Sequence, residues 1–507
     1  MIVSSESKDR QPGERPPVVQ RAAAHGARTA MLEPDGAVTY DELLSRTDRV
    51  SAALLPEQSD LQEARVAYLL PPGADYVAAQ WGIWQAGGVA TPLSLSAAPR
   101  EWQYVLADSQ ASALITTADL RERVAATCNA LGVPIVTLEE TAPHSPAALP
   151  SIMPDRRAMI LYTSGTTSQP KGVVSTHGNI QAQIETLIDA WKWQADDAIP
   201  LFLPLHHVHG IINIMSCALW AGARVEPFPK FDAAGVLQRV AAGAYSVFMA
   251  VPTIYVKLID AVETLPESQR AAVCEGFRGM RLMVSGSAAL PATIHVAWSE
   301  LTGQQLLERY GMTEIGMALS NPYDGERRPG AVGQPLPGVE LRLVDEQGRT
   351  IDGENQPGEI QVRGPGVFAE YWNRPEATAE AFVDGWFRTG DIAVRERGAY
   401  RILGRSSVDI IKSGGYKLSA LEIETALLEH PAIAQCAVVG LPDDTWGETV
   451  AAAVVLRDSA ALDAETLTAW CREQMSSYKV PQRLLFVDSL PRNAMGKVTK
   501  PAVRELF

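Results

Sequence analysis

The chain has 507 residues, 46% of them hydrophobic and 20% charged, with a formal net charge of −15. That length exceeds one hydrophobic core, so two or more domains are expected. The acidic balance excludes a general nucleic-acid binder, although a local basic cleft can still hold an anion.

Residues Met1 to Arg28 carry proline and charge throughout and show no apolar run of a secretory signal. Thereafter strand-like runs alternate with helical ones, as in "ARVAYLL" then "ADYVAAQWGIWQAGG", or "ASALITT" then "LRERVAATCNALG". This rhythm predicts an α/β fold, with parallel sheets and helices on both faces. The most apolar stretch, Ile211 to Ala221, is far shorter than a membrane span and predicts a core helix. From about Gly330 the texture changes to short strands and turns, which predicts antiparallel hairpins. After Gly404 an α/β rhythm returns, enough for a small C-terminal domain. Cys128, Cys217, Cys274, Cys436 and Cys471 stand at no paired or metal-like spacing, which predicts buried thiols in a reducing, cytosolic compartment.

Within this frame, Ile160 to Val174 reads "ILYTSGTTSQPKGVV". Two apolar strand ends enclose a loop of hydroxyls and glycines with one lysine near its end. Glycines admit a close backbone approach, amides and hydroxyls donate, and the lysine neutralises, so the loop suits a polyphosphate. It is not a P-loop, because Lys171 precedes Gly172 and two β-branched residues, and the chain leaves as a strand. The loop therefore needs partners from elsewhere.

Several stretches offer them. "ERYGMTEIGM" (Glu308 to Met317) presents Thr313 and the hard carboxylate of Glu314; alternatively it is a helix N-cap with Glu in the first turn. "SGSAAL" is a small-residue turn against which a flat ring can lie, and "RTGDIA" sets Asp391 after a glycine turn. "GRSSVDIIKSGGYKLS" carries Arg405, Asp409, Lys412 and the pair Gly414-Gly415, a pattern for a hinge and a mobile loop. "PRNAMGKVTK" holds Lys497 on a glycine turn.

In this order and together, these stretches resemble the adenylate-forming superfamily of acyl-CoA synthetases, peptide-synthetase adenylation domains and luciferases. The resemblance runs from "VTYDEL" at Val38 to Lys497. It implies a large N-terminal domain (12–404) of parallel sheets flanked by helices plus a small β-barrel-like part. A hinge (405–409) and a small mobile α+β domain (410–507) would follow. It also implies attack of a carboxylate on the α-phosphate of ATP, then transfer of the acyl group to a thiol, with Mg²⁺ and coenzyme A. Carried over, Thr163, Ser164, Gly165, Thr166, Thr167 and Lys171 hold the β- and γ-phosphates. Thr313 meets the α-phosphate and Glu314 the Mg²⁺. Ser287, Ala288 and Tyr310 surround the adenine, and Asp391 and Arg405 hold the ribose. Lys497 bridges the reacting anions, while Lys412, Gly414 and Gly415 enter the site for thioester formation. Ser406-Ser407-Val408 departs from the common hinge pattern and leaves the pivot open.

"ERYGMTEIGMALSNPYDGERRPGAVGQPLPGVELRL" and "LPLHHVHGI" are similar to malonyl-CoA synthetases. That subgroup uses arginines for the second carboxylate; Lys257 and Arg281 are the candidates here, with His207 and Met312 lining the acyl pocket. The substrate expected is a small carboxylic acid, malonate or a methylmalonate-like acid. A neutral short, medium or aromatic acid remains the alternative, as does a carrier protein as thiol acceptor. The sequence leaves the oligomeric state open.

Overall fold

The computed structural model describes residues 15–141, 149–163, 170–413, 416–443, 445–457, 460–492 and 498–507. Among these, one seven-stranded sheet runs in the order Glu370–Tyr371, Lys171–Thr176, Arg157–Thr163, Val89–Pro92, Arg65–Leu69, Ala113–Thr116, Ile135–Thr137. Its central strands are parallel and its first three pair antiparallel. A second sheet sets Val247–Ala250, Leu282–Ser285 and Leu307–Met312 in parallel, then turns antiparallel through Gly316–Ser320 and Gln334–Pro335. Leu282–Ser285 is buried at every position, as a strand covered on both faces requires.

Local signals set the helices between these strands. Thr39 caps Tyr40–Leu54 in a reciprocal box: its hydroxyl accepts from the Glu42 N–H, and its own N–H donates to Glu42 Oε2 at 2.8 Å. Ala74–Gln85 is buried at all but one position, so it packs as a core helix with no solvent face. Ile211 to Leu219 is buried as expected, with Trp220 and Ala221 half-buried, but the stretch is not one regular helix. His209–Ser216 forms wider π-helical turns, and only Cys217–Ala221 is α-helical. The Ser216 hydroxyl donates to the carbonyl of Ile211, five residues back, at 2.7 Å.

Strands Glu340–Val344, Gly358–Arg363, Trp386–Glu396 and Ala399–Arg405 form the expected antiparallel part. Beyond them, Ile410–Ser413, Tyr416–Ser419, Ile433–Asp443, Gly447–Leu456 and Arg483–Phe486 make a separate sheet. Two apolar clusters draw only on residues from Ile411 onward. Their members, such as Ile423, Val438 and Leu467, do not join the large cluster that spans Val18 to Leu336. All five cysteines are free thiols. Among the described residues no helix is long and apolar enough to cross a membrane.

Candidate active site

The donor-rich loop is the connection of a hairpin, since Thr163 stands opposite Lys171 in the ladder. The second strand begins at Lys171, two residues before the apolar pair. Its stem is braced from outside: the Tyr104 hydroxyl donates to the Pro170 carbonyl at 2.6 Å and the Trp372 N–H to the Gly172 carbonyl at 2.8 Å. Ser164, Gly165, Thr166, Thr167, Gly414, Gly415 and Lys497 lie outside the described residues.

The "YGMTE" stretch is no helix N-cap. It is a tight reversal between strands, with Met312 opposite Gly316. Gly316 has φ +62°, and a Cβ there would lie 2.5 Å from Gln183 Cδ, so the reversal demands glycine twice over. Thr313 and Met312 are half-buried at its tip and Glu314 is buried. Burial raises the Glu314 carboxyl above its ordinary range, opposed by the Tyr371 hydroxyl, which donates to Oε1 at 3.0 Å. The Lys171 ammonium lies 4.8 Å from the centroid of the same tyrosine ring. Among the described residues no group of three or more His, Cys, Asp or Glu side chains can hold a metal. A lone carboxylate fits Mg²⁺, which takes one or two protein oxygens and completes its shell with phosphate and water.

Asp391 and Arg405 face each other across a strand pair. The Tyr310 hydroxyl donates to Asp391 Oδ2 at 2.5 Å and Arg405 Nε to Oδ1 at 3.2 Å. Tyr310, Asp391 and Arg405 thus form one hydrogen-bonded group, and Glu314 lies close enough to feel the charges of Arg405 and Asp391. Beyond it, the Arg405 N–H donates to Asp409 Oδ2 at 2.9 Å, and Lys500 Nζ lies 2.7 Å from Asp409 Oδ1. Lys412 is exposed, with Nζ 3.8 Å from Glu346.

The residues expected to line the acyl pocket do not come together. Arg281 is held by Asp197, with Nε donating to Oδ1 at 2.7 Å and Nη2 pairing with Oδ2, and its Nη1 donates to the Trp191 carbonyl. A guanidinium so committed has no fork left for a substrate. Lys257 is exposed on the helix Pro252–Glu263, where an ammonium keeps its hydration. His207 is half-buried with its ring 4.2 Å from that of His206, but the histidine that reaches the "SGS" turn is His209, whose Nδ1 is 3.2 Å from Ser287 Oγ.

What the sequence reading missed is Arg309. It is 4% exposed, its Nη2 donates to Ser287 Oγ at 3.3 Å, and its Nε has no partner. Burial alone pulls its pKa down to about 9. The guanidinium lies on Gly286, where a Cβ would come within 2.5 Å of Cζ. Ser287 itself holds φ 67°, a left-handed conformation costly for serine. Burial and the nearby Arg309 cation keep His209 neutral. A buried cation beside a hydroxyl and a neutral imidazole is poised for an anion. The signal in the sequence was "LLERYGM": adjacent Glu308 and Arg309 in an apolar strand must each bury a charge on opposite faces.

Glu308 carries the cost of that placement. Burial pushes its carboxyl from 4.5 up to about 8, only partly offset by the Gly330 N–H at 3.0 Å. The folded chain therefore keeps a proton that the unfolded chain releases between these values. Stability falls as pH rises through this window and flattens above it. Between pH 5.5 and 8.5 the contribution lost is about 3 kcal/mol. Glu308→Gln is expected to remove that slope, read as a Tm that declines less with pH than in the wild type.

The comparisons with known proteins identify the family. Residues 18–372 match the AMP-binding enzyme model and residues 422–497 the AMP-binding enzyme C-terminal domain. The chain belongs to the AMP-binding enzyme family. Within this AMP-binding family it is 45% identical to the mitochondrial malonate–CoA ligase of Homo sapiens, over 97% of this chain and 92% of that one. It is 39% identical to the malonate–CoA ligase of Arabidopsis thaliana, over 95% and 87%. Among AMP-binding enzymes of known structure, ATP-bound MatB from Rhodopseudomonas palustris superposes with a TM-score of 0.88 at 34% identity, covering 97% of this chain and 99% of that one. The o-succinylbenzoate CoA synthetase of Bacillus subtilis, solved with its acyl-adenylate, gives 0.85 at 27% identity, covering 97% and 98%.

Proposed function

We propose that this enzyme is a malonate–CoA ligase that uses ATP to form malonyl-adenylate and then malonyl-CoA, releasing pyrophosphate and AMP. The observation that carries the choice of acid is Arg309, a buried guanidinium with no carboxylate partner among the described residues. A dicarboxylate supplies what it lacks, and one carboxylate stays free to react. The relatives and solved structures above support the same reading.

In the first half-reaction Lys171, Thr163 and the loop that follows neutralise the β- and γ-phosphates. Asp391 accepts from the ribose hydroxyls while Tyr310 and Arg405 fix its orientation, and the adenine lies against Ser287 and Ala288. Bound Mg²⁺ would supply charge neutralisation of the phosphates, with Glu314 as its protein oxygen. Thr313 donates to the α-phosphate, and Lys497 sets a cation where the substrate carboxylate meets it. The chemistry needs no covalent enzyme nucleophile; position and charge lower the barrier.

In the second half-reaction the small domain (410–507) turns about the hinge at 405–409 relative to 12–404, which brings Lys412 and Gly414-Gly415 into the site. Coenzyme A has a landing surface nearby. The rings of Tyr416 and Tyr478 stack at 4.7 Å with 6° between their planes, and both are exposed. Trp446, also exposed, precedes Gly447, which pairs with Ser413, itself the ladder partner of Tyr416. Exposed aromatic faces suit a flat base. The five free thiols support a reducing compartment; the human relative is mitochondrial.

The test is AMP formation by the purified protein with ATP and Mg²⁺, with and without CoA. The acids are malonate, methylmalonate, oxalate, acetate, butyrate, octanoate and benzoate. Preference for malonate with AMP release that requires CoA is the expected result. Preference for a monocarboxylate would remove the dicarboxylate assignment, and CoA-independent turnover would remove CoA as acceptor.

A further inference from the structure

Tyr371 lies in none of the stretches that marked the site, yet it touches two of its members. The strand Glu370–Tyr371 pairs antiparallel with Lys171–Thr176, setting Tyr371 opposite Val173. Its backbone is tied on both sides. The preceding Glu370 is ion-paired with Arg157 at 2.7 Å, and the Tyr371 N–H donates to Thr378 Oγ1 at 2.9 Å. The ring is 9% exposed and packs against Phe368 with centroids 4.8 Å apart. Rotation of this side chain is therefore blocked, and what it touches is held in turn.

One contact is the Lys171 ammonium, 4.8 Å from the ring centroid; the other is Glu314, which accepts from the hydroxyl at 3.0 Å. An ammonium and a carboxylate this close to one aromatic ring have an obvious alternative, which is to pair with each other. Such a pair would neutralise both groups and leave neither for a ligand. The ring satisfies the cation through its face and the carboxylate through its hydroxyl, so both charges persist side by side.

We propose that Tyr371 is a positioning residue that holds Lys171 and Glu314 apart and ready, so that a polyphosphate and its divalent cation bind together as one unit. The inference rests on the ligase reading, in which Lys171 faces phosphate and Glu314 faces the metal. Tyr371 itself touches neither.

Two substitutions separate its two contacts. Tyr371→Phe removes the hydroxyl and keeps the ring; Tyr371→Leu removes both. Calorimetric titration of ATP into the full-length protein, with Mg²⁺ or with EDTA, reads the effect without any acid or turnover. Tyr371→Phe is expected to bind ATP in EDTA like the wild type but to lose about tenfold of the tightening that Mg²⁺ brings. Tyr371→Leu is expected to lose about tenfold in EDTA as well, because Lys171 then falls toward Glu314. Steady-state kinetics should show the same split, with Tyr371→Phe raising the Mg²⁺ requirement and leaving the KM for ATP at saturating Mg²⁺ within about twofold. Wild-type Mg²⁺ dependence in Tyr371→Phe would overturn the inference. So would equal losses in both media for that variant, which mark a merely structural role. If Tyr371→Leu fails to fold, the Tyr371→Phe comparison alone decides. A wild-type protein that binds no ATP would instead overturn the ligase reading.

Discussion

Arg309→Met is expected to lower kcat/KM for malonate by about 10²–10³-fold, measured as CoA-dependent AMP release, with acetate and butyrate turnover largely unaffected. Leaving a buried charge without its partner costs about 3–5 kcal/mol, and here the stranded charge would be the distal carboxylate of malonate. The same substitution should not lower Tm. In the unliganded chain Arg309 is a buried cation whose Nε has no partner, so a thioether of similar length relieves a desolvation cost. Activity lost while stability holds is the mark of a group retained for its substrate. Arg309→Lys keeps the charge without the planar fork and should fall between the two. Wild-type malonate kinetics in Arg309→Met would remove the second-carboxylate assignment.

Asp391→Asn is expected to lower kcat/KM for ATP by about 10²-fold, measured by ATP–pyrophosphate exchange with malonate present. The carboxylate accepts from Tyr310 and from Arg405 at once, and both are charge-assisted bonds. An amide keeps one acceptor for the tyrosine but presents an N–H₂ to the guanidinium or to the ribose. Each charged hydrogen bond lost costs about 1.5–3 kcal/mol, so one or two account for the expected drop. Unchanged exchange would show that Asp391 braces Tyr310 and Arg405 without touching the nucleotide.

How far these residues were legible in the sequence depended on the range of the interaction. The hairpin around the donor-rich loop was readable because its strand ends lie within fifteen residues of each other. Its exact stem was not, because the ladder extends to Thr163 and Lys171, which are polar. The Tyr310–Asp391–Arg405 group was found through the order of separated stretches, a long-range signal that composition cannot give. The pairing of Arg281 was not readable because its partner, Asp197, lies 84 residues away on another element. Lys257 has the right chemistry but projects from the exposed side of its helix. Arg309 and Tyr371 escaped because their meaning comes from contacts that only the folded sheets create: the first with the "SGS" turn, the second across 57 residues to Glu314.

The carboxylate of Asp409 is divided between two partners, and this bears on how the proposed domain rotation is driven. One oxygen takes the Arg405 N–H and the other takes Lys500, which also lies 2.8 Å from Glu424. A turn about residues 406–408 gives up the first bond and keeps the second, because Lys500 and Glu424 travel with Asp409. Among the described residues the junction is also tied by the Asp409 N–H on the Arg405 carbonyl at 2.8 Å, the Ser419 hydroxyl on the Leu403 carbonyl and the 3.8 Å approach of Lys412 to Glu346. At about 1 kcal/mol for each such hydrogen bond, these ties hold the arrangement described here by only a few kcal/mol. In the proposed rotation, a balance this small passes to whichever ligand binds one arrangement better. In the proposed reaction, pyrophosphate departure and thiol arrival would reset this latch without a further energy source.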